Sequence, residues 1–266
     1  MGSATRQALV SSRAALAALG GEVDLATAEH LFAAARAIGG SLQLRGILAD
    51  ASTDVDRKKA AITAVFGSVL NPTALALLST AASSRWSNDD ELLGGIEDLA
   101  LRAAAESAPP GASLEAELFA FGRAVSSSAD LELAVGSKLG DTGSKVKLVD
   151  TLLVGKASPQ TISIVRHLVQ QPRGRRIGAL IRYAASVVAD QAGLAVATVT
   201  SARPIAPQQL TRLQAGLSKT YGRELRINSV VDESVIGGIR VQVGDDVIDG
   251  SVASKLNDLR LQLTGV

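Results

Sequence analysis

The feature that most constrains this chain is an internal repeat. Residues 28–100 match the residues 87 positions later without a gap, so that Leu31-Phe32-Ala33 falls on Leu118-Phe119-Ala120. Helix starts repeat too, since Asn71-Pro72 falls on Ser158-Pro159, a capping residue followed by proline in both cases. The repeat predicts one helical bundle used twice. A solenoid is disfavoured, because stacked repeats usually need three or more units to bury their faces.

The first 107 residues have the composition and apolar spacing of helices. Ala, Leu, Arg and Glu, all good helix formers, dominate the sequence here. The predicted N-caps are Asp24, Asp54, Asn71 and either Ser87 or Asn88, and Pro109-Pro110-Gly111 ends the unit. We therefore predict an N-terminal six-helix bundle over residues 1–107 and a second helical copy over residues 108–192.

The periodicity changes from helical to alternating after Gly193. Alternation predicts strands at 195–200 and 239–243, a further strand from Leu225, and a short return strand at Val247-Ile248. A helix opens at Ala206-Pro207. The predicted final helix is capped by Ser251 and carries Val252, Leu256, Leu259 and Leu263. The predicted fold class is mainly α, with a small α/β C-terminal domain over residues 193–266.

Composition argues against several classes of function. The net charge is only +1, which disfavours a nucleic-acid partner because such proteins need a basic face for phosphates. The chain has no cysteine, and neither His30 nor His167 has metal-ligand spacing, so we expect no metal site and no cofactor, and interpret each histidine as a surface or packed residue. Residues 60–84 carry no charge but contain Asn71-Pro72, which favours two helices over a membrane span.

Three polar segments have structural interpretations. The Gly136–Lys145 loop lacks the Gly-Lys-Ser/Thr end of a phosphate-binding loop, so we interpret it as a loop before a capped helix. Asp89-Asp90-Glu91 suits the positive end of a helix dipole. Arg173-Gly174-Arg175-Arg176 is interpreted as a solvated helix start or a contact for an acidic partner. We predict no catalytic residue.

The C-terminal segment carries a family resemblance. Val199 to Pro204 reads Val-Thr-Ser-Ala-Arg-Pro, and Val231 to Val252 reads Val-Asp-Glu-Ser-Val-Ile-Gly-Gly-Ile-Arg-Val-Gln-Val-Gly-Asp-Asp-Val-Ile-Asp-Gly-Ser-Val, with Leu256 and Leu259 beyond it. This pattern resembles the C-terminal signature of the δ subunit of F-type ATP synthase, the oligomycin-sensitivity-conferring protein (OSCP) family. The residues expected to form its turns and cap are Gly237, Gly238, Gly244, Asp245, Asp249, Gly250 and Ser251.

The resemblance implies a non-catalytic subunit of the peripheral stalk, at the cytoplasmic face of the bacterial cell membrane. The N-terminal bundle would bind N-terminal helices of α subunits, and the C-terminal domain would bind the C-terminal region of subunit b. We expect the groove for α to be lined by Leu9, Leu16, Leu75 and Leu78.

The family plan has one bundle, so the second copy raises the question of which bundle meets α. Because no separate helix precedes the second copy in the predicted pattern, we assign α to the first copy, and interpret the second as a spacer or a further contact for b. The alternatives are an unrelated helical adaptor and a nucleotide-binding enzyme that uses the Gly136–Lys145 loop.

Overall fold

The computed structural model describes residues 2–137, 140–232, 235, 237–244 and 246–250. It divides into two compact units, Met1–Val188 and Ala189–Val266. Both helical copies therefore lie within the first unit except for the last residues of the second, 189–192, and the finer division at residues 107 and 192 stays a prediction. The fold class, mainly α with a small α/β part at the C-terminal end, is confirmed.

The first copy consists of helices α1 to α6 joined by short loops. The predicted caps Asp24, Asn71 and Asn88 each accept a backbone N–H from three residues ahead. Asp54 stands at the start of α4, although its side chain accepts no such bond. The bounds are α1 Ser3–Leu19, then a 3-10 turn Gly20–Glu22, α2 Leu25–Gly40, α3 Leu42–Ala49, α4 Val55–Phe66, α5 Pro72–Ser83 and α6 Asp89–Glu106.

The second copy repeats these helices, and a shift of 87 positions carries α3, α4 and α5 onto α8, α9 and α10 with identical ends. Even single hydrogen bonds repeat. His30 Nδ1 accepts from the N–H of Asn71 at 3.0 Å, and Glu117 Oε2 accepts from the N–H of Ser158 at 3.0 Å. The duplication is therefore confirmed. The bounds are α7 Leu114–Ser126, α8 Ala129–Gly136, α9 Thr142–Leu153, α10 Pro159–Gln170 and α11 Ile177–Gln191.

Helix α6 belongs to both copies. The same shift carries α1, residues 3–19, onto residues 90–106, which α6 covers. The expectation that the second copy lacks a first helix is therefore wrong, because it shares this helix with the first copy. Apart from Gly94, every residue from Leu92 to Ala104 is buried, since helices of both copies pack around α6.

Each copy buries its apolar side chains at matching positions, including Leu31 with Leu118, Phe32 with Phe119, and Ile62 with Val149. Burial of one such side chain stabilises the fold by about 1.5–3 kcal/mol. Lys58 and its counterpart Lys145 are also buried, with exposed fractions of 3% and 7%. The two copies therefore share a core plan and differ elsewhere.

The C-terminal unit, in its described residues, is a four-stranded sheet of order β2-β1-β3-β4. β1 and β2 pair in parallel, and the helix α12 connects them in the chain. The pairs β1–β3 and β3–β4 are antiparallel. Its core contains Ala197, Val199, Leu217, Leu225 and Val241. The predicted final helix from Ser251, with Val252, Leu256, Leu259 and Leu263, lies outside the described residues. The bounds are β1 Ala195–Ser201, α12 Pro207–Tyr221, β2 Leu225–Val231, β3 Ile239–Val243 and β4 Asp246–Asp249.

Candidate partner-binding faces

The four leucines expected to line a groove fall into two groups. Leu16 and Leu78 are 1% and 0% exposed and belong to the core of the first copy. Leu9 and Leu75 are half-buried. Helices α1 and α5 that carry them pack against each other, so the groove residues lie on one pair of helices. Leu16 and Leu78 are therefore core residues, and only Leu9 and Leu75 of the four are partly accessible.

The outer face of α1 and α5 is open. On α1, Arg6, Val10, Ala14 and Ala17 are exposed, with Val10 at 60%. On α5, Ala76 is exposed, and Thr73 and Thr80 are half-buried. The outer face of this pair, named here the first-copy face, therefore presents small and aliphatic side chains beside Arg6, and small side chains let another helix approach closely.

A cleft of about 950 Å³ lies at the N-terminal end of α1. Ala4, Gln7 and Ser11 of α1 line one side, and the loop 84–87, with Trp86, lines another. The cleft therefore lies between the start of α1 and the loop that follows α5. It extends the open surface of the first copy without adding a charged cluster.

The equivalent face of the second copy is covered. Helices α6 and α10 correspond to α1 and α5, and α2 of the first copy packs against both of them. On α6, the counterparts of the exposed α1 residues are buried: Leu93, Glu97, Leu101 and Ala104. On α10, the counterparts Gln160, Ser163 and His167 are buried as well.

Specific contacts hold α2 on this face. The Phe32 ring stacks on the His167 ring with centroids 4.3 Å apart and planes at 22°. Arg36 Nη1 lies 3.2 Å from His167 Nδ1. Gln171 Nε2 donates to the carbonyl oxygen of Ala35 at 3.1 Å. The interface therefore combines an aromatic contact with polar pairs, and its position on α10 is well defined.

Burial keeps His167 neutral. The residue is 1% exposed. Desolvation first, and then the charges of Arg36, Arg175 and Arg173, lower its pKa from 6.5 to about 3. The interpretation of His167 as a packed histidine fits this position. His30 is half-buried and accepts the Asn71 hydrogen bond that fixes the start of α5.

The basic cluster finds its acidic partner within the chain. Arg173 Nη1 lies 3.1 Å and Arg175 Nη2 lies 2.7 Å from Glu97 Oε2, and the Glu97 side chain is 2% exposed. The solvated helix start expected for Arg173 and Arg175 is thus wrong, because both side chains neutralise a buried carboxylate. A neighbouring carboxylate, Asp98, is bound by Arg102 Nε at 2.8 Å and by Arg13 Nη2 at 3.2 Å, which ties α1 to α6.

The Gly136–Lys145 loop carries no exposed phosphate-binding lysine in its described part. Lys145 is buried, and its ammonium donates to the carbonyl oxygen of Ser137. Asp141 caps α9 by accepting the N–H of Ser144 at 2.7 Å, and these bonds lower the pKa of the Asp141 carboxyl. The described residues therefore form the predicted loop before a capped helix, α9.

The acidic run at the start of α6 fills the first helical turn, as expected. Glu91 accepts a hydrogen bond from Thr5 of α1, which lowers the pKa of its carboxyl. Among the described residues, no three histidine or carboxylate side chains are grouped as a metal ion would require. Nor does any described helix have the length and apolarity needed to cross a membrane.

The described part of the C-terminal motif shapes the turns of the sheet. Gly237, Gly238 and Gly244 have φ values of 66°, 75° and 58°, a region that L side chains rarely adopt. Asp249 pairs with Arg240 at 3.1 Å across β3 and β4, and the N–H of Gly250 donates to the carbonyl oxygen of Ile239 at 2.9 Å. Asp245 and Ser251, also expected in this motif, lie outside the described residues.

The edge strand β4 presents apolar side chains. Val247 and Ile248 are 56% and 49% exposed, and among the described strands β4 pairs with β3 alone. The sequence predicts a strand at both residues but does not indicate their exposure. Edge strands and their side chains are common sites of association.

The family model and the relatives in sequence agree with one another. A family model described as ATP synthase delta (OSCP) subunit matches residues 99–263, which begin within α6. The ATP synthase subunit delta of Leifsonia xyli subsp. xyli is 52% identical over 265 residues, covering 100% of both chains. The protein of the same name from Streptomyces griseus subsp. griseus is 37% identical over 271 residues, again covering 100% of both. A chain in the cryo-EM structure of the Toxoplasma gondii mitochondrial ATP synthase hexamer is 23% identical with a TM-score of 0.42, covering 63% of this chain and 95% of that one.

Proposed function

The chain belongs to the ATP synthase delta (OSCP) subunit family, and from this premise we propose which of its surfaces meet which partners. Proteins of this family are non-catalytic subunits of the peripheral stalk, the stator that links the catalytic head to subunit b. The stator keeps the head from turning with the rotor, so that rotor torque drives ATP synthesis. The two alternatives, an unrelated adaptor and a nucleotide-binding enzyme, are set aside by family membership.

The first-copy face is the proposed docking site for N-terminal helices of the α subunit. The observation that carries this proposal is the asymmetry between the two copies: the face between α1 and α5 is open, and the same face between α6 and α10 already holds a helix. An exposed Val10 and Ala76, flanked by half-buried Leu9 and Leu75, suit the apolar side of an amphipathic helix.

The C-terminal unit is the proposed docking site for the C-terminal region of subunit b. Support comes from the edge strand β4, where Val247 and Ile248 remain exposed among the described residues. In this arrangement the two partners bind different compact units of the chain. The complex would then lie at the cytoplasmic face of the bacterial cell membrane, with this subunit held there by its partners.

A titration with separate partner peptides tests both assignments. A synthetic peptide of the α N-terminal helix from the same organism should bind the full chain. Ala76→Glu should weaken that binding at least tenfold, because it places a charge, which is costly to bury, in the middle of the first-copy face. Ala60→Glu, at an exposed alanine of α4, is the matched control and should bind normally.

The same Ala76→Glu variant should bind a b C-terminal segment like the unmodified chain. A Val247→Glu variant should show the reverse pattern, weak for b and normal for α. If the α peptide binds Ala76→Glu as tightly as the unmodified chain, the first-copy face is not its site.

A further inference from the structure

We propose that α2 is a permanent internal occupant of the second copy's helix groove, so that this duplicated chain takes up one partner helix and not two. The number of sites rests on the proposed docking of α, whereas the internal occupancy stands on contacts within the chain. The family match alone would favour the opposite arrangement, because residues 99–263 contain the second copy and omit most of the first.

Corresponding residues carry the argument. The first-copy face displays Val10 and Thr80, and the second copy has Glu97 and His167 at those positions. Glu97 is held by two arginines, and His167 is covered by Phe32 and Arg36 of α2. The side chains of the second copy are thus adapted to a fixed neighbour rather than to an exchanging one.

Connectivity makes the occupancy permanent. Helix α6 is at once the last helix of the first copy and the first helix of the second, so α2 is held near α10 by the covalent chain and by its own packing on α6. A partner helix in solution would have to displace a segment present at a far higher effective concentration, and would lose the contacts of Phe32 and Arg36. The second copy therefore serves as a rigid continuation of the first.

Cross-linking tests the occupancy directly, because the chain has no cysteine of its own. A Cβ at Gly39 of α2 would meet the side chain of Gln171, which follows α10. The pair Gly39→Cys and Gln171→Cys should therefore be joined rapidly within one chain by a short bifunctional thiol reagent. A Cβ at Gly40 has nothing within 4 Å, so Gly40→Cys with Gln171→Cys is the control pair and should react slowly.

The α N-terminal peptide is then titrated against the chain before and after cross-linking. We expect one site in both samples, with affinities that agree within twofold. Two sites before cross-linking, a site lost on cross-linking, or equal reaction of the two cysteine pairs would overturn the proposal. Rapid cross-linking of the Gly39→Cys pair without any peptide binding would uphold the internal occupancy and refute the assignment of α to the first copy.

Discussion

The two helical copies have one backbone plan and opposite outer faces. Helix ends, caps and core positions repeat at a constant shift of 87 residues. Val10 of the first copy is nevertheless 60% exposed, whereas its counterpart Glu97 in the second copy is buried. On the neighbouring helix, half-exposed Thr80 corresponds to His167, which is 1% exposed. The difference shows that repeated cores and caps can give the same fold while the side chains on the outer faces differ.

A family match by itself does not show which of the two copies is open to a partner. The matched residues 99–263 contain most of the second copy and of the C-terminal unit. Transfer of a binding site by sequence position would therefore select α6 and α10. Those helices are already covered by α2. The open face, between α1 and α5, lies in residues that the family model omits. The relatives from Leifsonia and Streptomyces, which match over their full length, include these residues.

The largest expected loss of stability comes from breaking the charge cluster of Glu97, Arg173 and Arg175, whose positions in the first copy are uncharged at Val10, Trp86 and Asn88. Glu97→Gln removes a buried carboxylate from Arg173 and Arg175, and loss of one partner from such a cluster costs about 3 kcal/mol. Urea denaturation measures the free energy of unfolding. Asp150→Asn, in a pair with Arg166 whose side chains are 33% and 40% exposed, is the control and should cost less than about 1 kcal/mol. Equal losses in the two variants would mean that Glu97 is solvated.

A second effect appears in the pH dependence of stability. The folded pKa of His167 is lowered to about 3 from 6.5, so the unfolded chain takes up the proton first and stability falls as the pH drops below 6.5. Between pH 6.5 and pH 5 this residue should cost about 2 kcal/mol. His167→Thr, which introduces the residue found at Thr80, should remove that part of the pH dependence. An unchanged slope in this variant would contradict the buried, neutral histidine.

How far the sequence predicts this molecule depends on the kind of feature. Caps such as Asn71 and Ser158 were predictable, because a polar residue before proline has one favoured use at a helix start. The alternating strand at 239–243 was predictable for a similar local reason. The shared role of α6 was missed, although its apolar residues from Leu92 to Ala104 lie on all sides, which indicates burial on every face.

Contacts distant in sequence could not be predicted in the same way. Glu97 and Arg175 both suit a solvated helix surface, and only the packing of α6 against the loop before α11 shows that they neutralise each other. His167 likewise gives no local sign that it stacks on Phe32. The groove prediction, which stays a prediction, named two helices that pack against each other. It chose Leu16 and Leu78 by spacing alone, and spacing does not separate the core side of a helix from its edge.

A third, smaller effect concerns packing that only the first copy has. A Cβ at Gly95 of α6 would overlap the ring of Trp86, whose counterpart in the second copy is Arg173. Gly95→Ala should therefore destabilise the chain by about 1–2 kcal/mol and shift the fluorescence of its single tryptophan. Gly94→Ala meets only the flexible end of Arg173 at 3.4 Å and should be neutral or stabilising by up to about 1 kcal/mol. Similar fluorescence shifts in both variants would count against the Trp86 contact.

The smallest effect tests what the copies share. Asn71 and Ser158 cap equivalent helices α5 and α10, and each accepts the backbone N–H three residues ahead. Asn71→Ala and Ser158→Ala should each cost about 1 kcal/mol in thermal or urea unfolding. Losses that differ by more than about 1 kcal/mol would show that the caps have diverged along with the outer faces.

The central claim is that one copy has an open helix-binding face and the other a filled one. Amide hydrogen exchange of the full chain, with and without the α N-terminal peptide, tests this most directly. We expect new protection in α1, Ser3–Leu19, and α5, Pro72–Ser83, with none added in α10, Pro159–Gln170. New protection in α10 without any in α5 would contradict it.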